Sequence, residues 1–270
     1  MSINELSVRT ERPHGHLGLA TSISPAPGDP VVIDDGPMVI RDPFLSSVRV
    51  SVVLPAMNEA ANLPHVFARM PPEVAEVILI DGNSTDDTAA VAKELWPSVR
   101  IVNQTRKGKG NALATGFRAA TGDIIVMLDA DGSTDPAEIP RFVAILLTGA
   151  DFAKGTRFVA GGGSEDITSV RRLGNRVLSG MVNAFWKANY SDLCYGYNAF
   201  WTRCLRDIVP DCDGFEVETL MNIRVAKANL KVVEVPSFEA CRRHGISNLN
   251  ARRDGMRVLR TIISEGIRPA

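Results

Sequence analysis

From Arg49 onward, short apolar runs alternate with longer amphipathic stretches. Three runs contain only apolar residues or a single serine, and each stops at a proline or an aspartate; they are residues 50–54, 77–80 and 124–128. Near-continuous apolar runs of this length are typical of strands that a parallel sheet buries on both faces. The pattern therefore predicts three buried strands in the first half of the chain.

Helical patterns lie between and after these strands. Ser84 and Asp87 have the spacing of a capping box before a helix over 89–95, and Asp135 followed by Pro136 is typical of another helix start. Later helices are predicted at 170–187, 216–229 and 248–267, and later strands at 196–201 and 230–235. This alternation predicts an α/β fold with a mostly parallel sheet flanked by helices.

The two ends of the chain differ from its middle. Residues 1–46 contain six of the sixteen prolines and no periodicity, which predicts an extended or disordered N-terminal arm. A single domain is predicted over 47–247, followed by an amphipathic basic helix over 248–270. Residues 240–270 hold seven arginines but only two acidic residues. A peripheral contact with an anionic membrane fits this charge, and so does a solvated face of a helix that packs on the core.

Overall composition narrows the class of protein. The 270 residues include 30 basic and 31 acidic ones, so the net charge of -1 gives no general case for nucleic-acid binding. No run approaches the roughly 20 apolar residues of a membrane span, and the N-terminus lacks the apolar core of a signal peptide. We therefore expect a cytoplasmic protein, either free or peripheral at the inner face of the membrane, whose four cysteines are reduced. The oligomeric state stays open.

Candidate chemistry begins where the three strands end. The polar residues that follow them are Asn58, Glu59, Asp81, Asn83, Asp129 and Asp131. In open α/β sheets, ligands bind beyond the carboxyl ends of the strands, so we expect these residues to converge on one crevice.

The closely spaced acids Asp129 and Asp131 are the sharpest local feature. Residues i and i+2 of an extended segment point to the same side, where two carboxylates repel each other unless a cation lies between them. Oxygen ligands select Mg²⁺ or Mn²⁺, and such an ion would bridge the phosphates of a nucleotide. The alternative is a turn with helix-capping acids.

The segment 106–110, with two glycines and three basic residues, is a second candidate. Its glycines permit close backbone approach and its lysines could meet phosphate, although the P-loop pattern is absent. A solvated basic turn fits this segment equally well.

Taken together, nine segments resemble the successive motifs of glycosyltransferase family 2. They are Leu54–Glu59, Ile80–Asp86, Lys109–Ala112, Leu128–Asp131, Gly155–Phe158, Asp192 with Gly196-Tyr197, Gly214–Glu218, Glu234–Pro236 and Arg242–Ser247. The resemblance implies a GT-A fold. The later segments are most similar to the branch of polyprenyl-phosphate (dolichyl-phosphate) mannosyl- and glucosyltransferases.

That resemblance implies an inverting, metal-dependent transfer of a hexose from UDP-glucose or GDP-mannose to a polyprenyl phosphate. Two departures leave the acceptor open: Asp81-Gly82-Asn83 stands where the family commonly has Asp-Asp-Gly, and Asn248 replaces a usual lysine. The alternatives are a soluble enzyme that glycosylates a hydroxyl of a small molecule or glycan, a sugar-nucleotidyltransferase, and a non-catalytic nucleotide-sugar binding protein.

The resemblance also implies roles for single residues. Asp81 would contact the nucleotide base, and the nucleotide-sugar site would further include Pro55, Ala56, Asn58, Glu59, Asn83, Lys109, Asp129, Ala130, Asp131 and Arg157. The metal ligands would be Asp131 and Asp129, with His244 as a supporting contact. Arg157, Arg242 and Ser247 would meet the acceptor or its phosphate.

The same comparison makes Glu218 the catalytic base, with Glu216 as its alternate. A hydroxyl acceptor needs a base to take its proton, whereas a phosphate acceptor, whose second pKa is about 6, does not. Loss of the base should therefore be severe with a hydroxyl acceptor and milder with a phosphate.

Overall fold

A computed structural model describes residues 47–246 and 249–267 of the chain, and all of them belong to one compact unit. The predicted arm over 1–46 and the predicted phosphate contact Ser247 lie outside the described residues.

Nine strands are found in the described part of the chain. They are β1 (Val50–Ala56), β2 (Glu76–Asp81), β3 (Arg100–Asn103), β4 (Ile124–Met127), β5 (Phe152–Thr156), β6 (Gly163–Ser164), β7 (Asn198–Trp201), β8 (Val232–Pro236) and β9 (Phe238–Glu239). Seven of them form the central sheet in the order β3-β2-β1-β4-β7-β5-β8, and β6 pairs with β9 in a small second sheet.

The central sheet is parallel except at β7, which runs antiparallel to β4 and β5. This confirms the predicted mostly parallel α/β sheet. In β2, the side chains of Val77 and Leu79 join the apolar cluster on one face of the sheet, and those of Ile78 and Ile80 join the cluster on the other face. Burial on both faces is why the sequence shows a continuous apolar run here rather than an alternating one.

Helices cover both faces of the sheet. They are α1 (Leu63–Phe67), α2 (Thr88–Leu95), α3 (Lys109–Ala119), α4 (Ile139–Leu147), α5 (Ser169–Trp186), α6 (Leu205–Ile208), α7 (Val217–Lys227) and α8 (Ala251–Ile267). Residues of α1, α2 and α4 pack on one face of the sheet, and residues of α3, α6 and α7 pack on the other. A third apolar cluster joins α5, α7 and α8. None of the described helices combines the length and the apolar character that crossing a membrane requires.

The two predicted helix starts have different outcomes. The carboxylate of Asp135 accepts a hydrogen bond from the amide of Ala137 at the 3-10 turn that leads into α4, which confirms the predicted cap. The predicted capping box is wrong, because α2 begins after Asp87 without a side-chain cap. Ser84 instead accepts a hydrogen bond from the amide of Asn58, and so it ties the loop after β2 to the loop after β1.

Candidate active site

A cavity of about 1280 Å³ opens where β1, β2 and β4 end. Ala56 at the end of β1, Asn83 after β2 and Asp129 after β4 all line it. The sequence-predicted residues on its wall are Pro55, Ala56, Glu59, Asn83, Lys109, Asp129, Ala130, Asp131, Arg157, Glu218 and Arg242. The cavity therefore joins the strand ends of the first half of the chain to residues of the second half.

The Lys109 cluster consists of Lys109, Asp129 and Glu218. Lys109 is the first residue of α3, and its ammonium nitrogen lies 2.6 Å from Oδ1 of Asp129 and 2.7 Å from Oε1 of Glu218. Burial by itself would lower the pKa of Lys109, but the attraction of the two carboxylates outweighs burial, and the pKa is raised. The lysine is therefore a fixed positive charge between a predicted metal ligand and the predicted base.

The Lys109 cluster has room because residue 196 is a glycine, which has no side chain. A Cβ atom at this position would lie 2.9 Å from the ammonium of Lys109 and 3.2 Å from Oδ2 of Asp129. The neighbouring carbonyl of Tyr195 accepts a hydrogen bond from the ammonium of Lys154, which is fully buried on β5. Burial lowers the pKa of Lys154. The hydrogen bond from Lys154 therefore holds the segment around Gly196 in place beside the Lys109 cluster.

The glycines that precede and enter α3 make a different contact from the predicted one. A Cβ at Gly108 would lie 2.0 Å from the carbonyl oxygen of Asp213, and one at Gly110 would lie 2.4 Å from that of Cys212. Gly108 also has a φ of +104°, which favours glycine. The close approach that the sequence suggests is therefore made by the chain's own backbone, and it fixes the start of α3 beside the loop before α7.

The Arg242 cluster joins the second aspartate of the pair to the loop after β1. Arg242 bonds Oε1 of Glu59 at 2.9 Å and Oδ2 of Asp131 at 3.0 Å. The other oxygen of Asp131 accepts hydrogen bonds from the amide and hydroxyl of Ser133. Burial raises the pKa of Glu59, although hydrogen bonds from Asn62 and Arg242 oppose the shift. Both acids of the Asp129 and Asp131 pair therefore face a protein cation.

His244 does not join this acid pair. Its backbone donates to and accepts from the side-chain amide of Asn62, and its ring stacks on His65 with 5.9 Å between centroids. The exposed imidazole lines a second cavity of about 450 Å³ instead of the large one. The predicted grouping of His244 with Asp129 and Asp131 is therefore not assembled in this structure.

The Arg157 cluster consists of Arg157, Asp192 and Glu239. Arg157 forms a two-pronged ion pair with Asp192, at 2.7 and 2.9 Å, and a third bond to Glu239 at 3.0 Å. Burial by itself would raise the pKa of Asp192, but the guanidinium outweighs it and holds that pKa below the ordinary value. The ring of Tyr195 lies 4.9 Å from the guanidinium carbon. Two acids already neutralise Arg157, which favours a role in building the wall over direct contact with phosphate.

Three other predicted residues are not on the wall of the large cavity. Asn58, at φ +59°, accepts a hydrogen bond from the amide of Thr85, and the carboxylate of Asp81 accepts the amide of Ser84. Glu216 precedes α7 and accepts a hydrogen bond from the amide of Gly214, while its other oxygen is buried and has no hydrogen-bond partner among the described residues. Between the two candidate bases, only Glu218 lines the cavity.

Sequence reasoning missed the wall that α5 and α8 contribute. Arg171 and Asn175 of α5 and Arg253 and Arg257 of α8 line the cavity. The side-chain oxygen of Asn175 accepts hydrogen bonds from two backbone amides, whereas its buried amide nitrogen has no partner in the part of the chain that the structure describes. No local motif marks these residues, because the packing of α5 beside α8 brings them to the cavity.

The acid pair suits a cation that is shared with a ligand. Within residues 47–246 and 249–267, no three histidine, cysteine, aspartate or glutamate side chains are grouped to hold a metal ion. Asp129 and Asp131 nevertheless present carboxylate oxygens to the cavity, with 32% and 16% of their side chains exposed. Mg²⁺ is commonly held by one or two carboxylates, phosphate oxygens and water, so these residues fit such an ion when a phosphate-bearing ligand supplies the rest.

Comparison with known proteins gives one family and several relatives. The model of glycosyl transferase family 2 matches residues 51–209. The chain is 31% identical over 215 residues to a dolichol-phosphate mannosyltransferase of Pyrococcus furiosus, a match over 76% of this chain and 60% of the relative's length. It is 32% identical over 201 residues to an undecaprenyl-phosphate mannosyltransferase of Micrococcus luteus, covering 70% and 82% of the two chains.

Among solved structures, the chain is similar to glucosyl-3-phosphoglycerate synthase of Mycobacterium tuberculosis in complex with phosphoglyceric acid. The TM-score is 0.68 at 26% identity, over 85% of this chain and 84% of the synthase. Other crystals of that synthase contain Mn²⁺, UDP-glucose and phosphoglyceric acid, or Mg²⁺ and UDP.

Proposed function

The chain belongs to glycosyl transferase family 2, and we propose that this glycosyltransferase moves a hexose from a nucleoside-diphosphate sugar to a polyprenyl phosphate. In this proposal UDP-glucose or GDP-mannose is the donor, the anomeric carbon is inverted, and Mg²⁺ or Mn²⁺ is required.

The observation that carries the proposal is one cavity lined both by the acid pair at the end of β4 and by arginines of α5 and α8. A diphosphate with its cation suits Asp129 and Asp131, whereas a phosphate-bearing acceptor suits Arg171 and Arg253, since guanidinium groups bind phosphate with two parallel hydrogen bonds. The lipid-phosphate mannosyltransferases among the relatives support this class of acceptor.

The protein's own cations are already in place for the donor. When bound by Asp131 and Asp129, a divalent cation would stabilise the charge that develops on the departing nucleoside diphosphate. Lys109 and Arg242, which now pair with these aspartates, can turn hydrogen bonds toward phosphate oxygens. Pro55, which lines the cavity, would pack against the base and ribose of the donor.

Glu218 is the base in this proposal when the acceptor is a hydroxyl. Its side chain is only 4% exposed, accepts a bond from Lys109 and lines the cavity. A phosphate acceptor carries its own negative oxygen and needs no such proton transfer. With a lipid phosphate, Glu218 would chiefly hold Lys109 in position.

A second candidate acceptor is a small phosphorylated hydroxyl compound. The buried carboxylate of Glu218 on the wall favours it, because a hydroxyl needs a base. The likeness to a synthase crystallised with phosphoglyceric acid supports it as well.

The test is a donor and acceptor screen on the full chain. Release of nucleoside diphosphate would be followed from UDP-glucose, GDP-mannose and UDP-N-acetylglucosamine, with Mg²⁺, Mn²⁺ or a chelator, and with a short polyprenyl phosphate, phosphoglyceric acid or no acceptor. Asp131→Asn is the test variant. Asp87→Asn, which changes an exposed acid away from the cavity, is its matched control.

We expect release that needs a divalent cation, rises with the polyprenyl phosphate and falls about 100-fold to 1000-fold in Asp131→Asn alone. Stimulation by phosphoglyceric acid and not by the lipid would favour the second candidate. Donor binding without release from any acceptor would contradict both and favour a nucleotide-sugar binding protein.

A further inference from the structure

Helix α5 carries large apolar side chains on its exposed face as well as on the face that packs on the core. The residues it buries are Asn175, Ser179 and Val182. The large apolar side chains it exposes are Val170, Leu173, Val177 and Phe185, which are 55–77% exposed. Leu173, Val177 and Phe185 are spaced by multiples of four, so they lie on one stripe of the helix. A helix that turns such a stripe outward is built to contact something beyond its own core.

Most charges near this stripe are positive, and the exposed Asp166, just before α5, pairs with Arg171 at 2.8 Å. Between Ser169 and Trp186, α5 carries three arginines and no acidic residue. The neighbouring α8 carries four arginines, and it also leaves Met256 and Ile263 about half exposed. Its two acids, Asp254 and Glu265, are buried in ion pairs with arginines or Lys227. The outer surface of both helices is therefore basic and apolar, without exposed acidic groups in the described residues.

We propose that the outer face of α5, together with that of α8, is a docking surface for an anionic lipid bilayer. Arginines beside an apolar stripe match a surface of anionic headgroups over an acyl interior. A second copy of the chain fits poorly, because a two-fold contact would bring the same arginines face to face.

The proposed docking surface lies next to the large cavity. Val170 and Arg171 of α5 line the large cavity, one turn or less from the exposed stripe, and α8 contributes Arg253 and Arg257 to the same wall. A bilayer on this surface therefore lies beside the mouth of the site and holds a lipid-phosphate acceptor there. This step rests on the function proposed above, whereas the docking itself can be measured without any turnover.

The experiment is co-sedimentation of the full chain with vesicles of phosphatidylcholine, with or without about one quarter phosphatidylglycerol. The first variant is Leu173→Ser with Val177→Ser, and the second is Arg176→Gln; none of these residues lines the cavity. The matched controls are Leu147→Ser on α4 and Arg118→Gln on α3, which are exposed elsewhere. Sedimentation velocity of each protein reports its oligomeric state and its fold.

We expect binding to anionic vesicles that weakens in high salt. Arg176→Gln should weaken it about fivefold, the serine pair about 10-fold or more, and neither control measurably. Turnover of a lipid acceptor in vesicles should fall by the same factors, while turnover of a short, water-dispersed polyprenyl phosphate stays unchanged.

Three results would overturn the docking surface: no binding to anionic vesicles at low salt, equal loss in variants and controls, or a dimer that only the α5 variants dissociate. If the short polyprenyl phosphate is turned over in any of these cases, the proposed function stands without the surface. Vesicle binding that the α5 variants abolish, with no turnover of any polyprenyl phosphate, supports the surface and contradicts the proposed acceptor.

Discussion

The Arg157 cluster and the Lys109 cluster both place one cation between two carboxylates on the wall of the same cavity, yet they differ in exposure. Every side chain of the Arg157 cluster is at most 13% exposed. In the Lys109 cluster, Asp129 is 32% exposed, although Lys109 and Glu218 are as buried as the Arg157 cluster, at 13% and 4%. One cation between two acids can therefore serve structure or function. The planar guanidinium of Arg157 is fixed by paired hydrogen bonds, whereas the ammonium of Lys109 is a point charge that can change partners.

The difference between the two clusters is tested first by removing one acid from each. Asp192→Asn should lower the free energy of unfolding by about 3–5 kcal/mol, since it leaves a buried guanidinium without its main partner. Asp129→Asn should cost about 1 kcal/mol or less, because its partner keeps Glu218 and water. Urea unfolding of both variants measures the difference. Equal losses would mean that the two clusters are equally structural.

A second comparison tests which of the two acids at the start of α7, Glu216 or Glu218, acts on the acceptor. Glu218→Gln should lower kcat about 100-fold with a hydroxyl acceptor and about 10-fold or less with a phosphate acceptor, because only the hydroxyl needs a base. Glu216→Gln is the matched control and should leave kcat within about twofold, since Glu216 is off the cavity wall. Equal and total loss in both variants with a phosphate acceptor would contradict this assignment.

A methyl group at Gly196 sharpens the contrast further. Gly196→Ala places a carbon 2.9 Å from the ammonium of Lys109, so we expect about a 10-fold loss of kcat/KM with little loss of stability. Gly180→Ala on α5 is the control, because a Cβ there meets no atom within 4 Å. If stability falls as much as activity, the glycine serves packing instead of the Lys109 cluster.

The smallest expected effect is a loss of folding stability that appears only at acidic pH. Arg157 lowers the pKa of Asp192 in the folded chain, so the unfolded chain binds that proton more readily. The stabilisation is therefore fully present above the unfolded value near 3.8 and is lost as the pH falls through the lowered native pKa. Unfolding curves of the wild type should show this loss in that window, and those of Asp192→Asn should show a smaller one.

The sequence predicted the strands with long apolar runs and missed several that are short or interrupted. The missed strands include β3, which is only half-buried at the edge of the sheet, and β5, whose apolar run is interrupted by the buried Lys154. The segment 106–110 was interpreted either as a phosphate-binding segment or as a solvated basic turn, and no helix was predicted to begin there, because glycine is a poor helix former. Contact with the 212–213 backbone, which no local pattern reveals, offsets that penalty.

Prediction of the site succeeded where the chemistry is local. Asp129 and Asp131 are only two positions apart in the chain and both line the cavity wall, whereas Arg171 and Arg253 reach it only through the packing of α5 beside α8. The resemblance to family motifs named Asp81 and Asn58, but both side chains hold the loops after β2 and β1 in place. The predicted role of each residue in the nucleotide-sugar site stays a prediction.

The antiparallel strand β7 also sets the order in which this protein can form as it is synthesised. The edge of β4 has no partner until Asn198–Trp201 has been made, and β5 waits for the same segment. Pairings between distant segments slow folding and leave strand edges exposed meanwhile. A nascent chain that stops short of Trp201 therefore carries an open sheet edge, and we expect it to be most prone to aggregation during this interval.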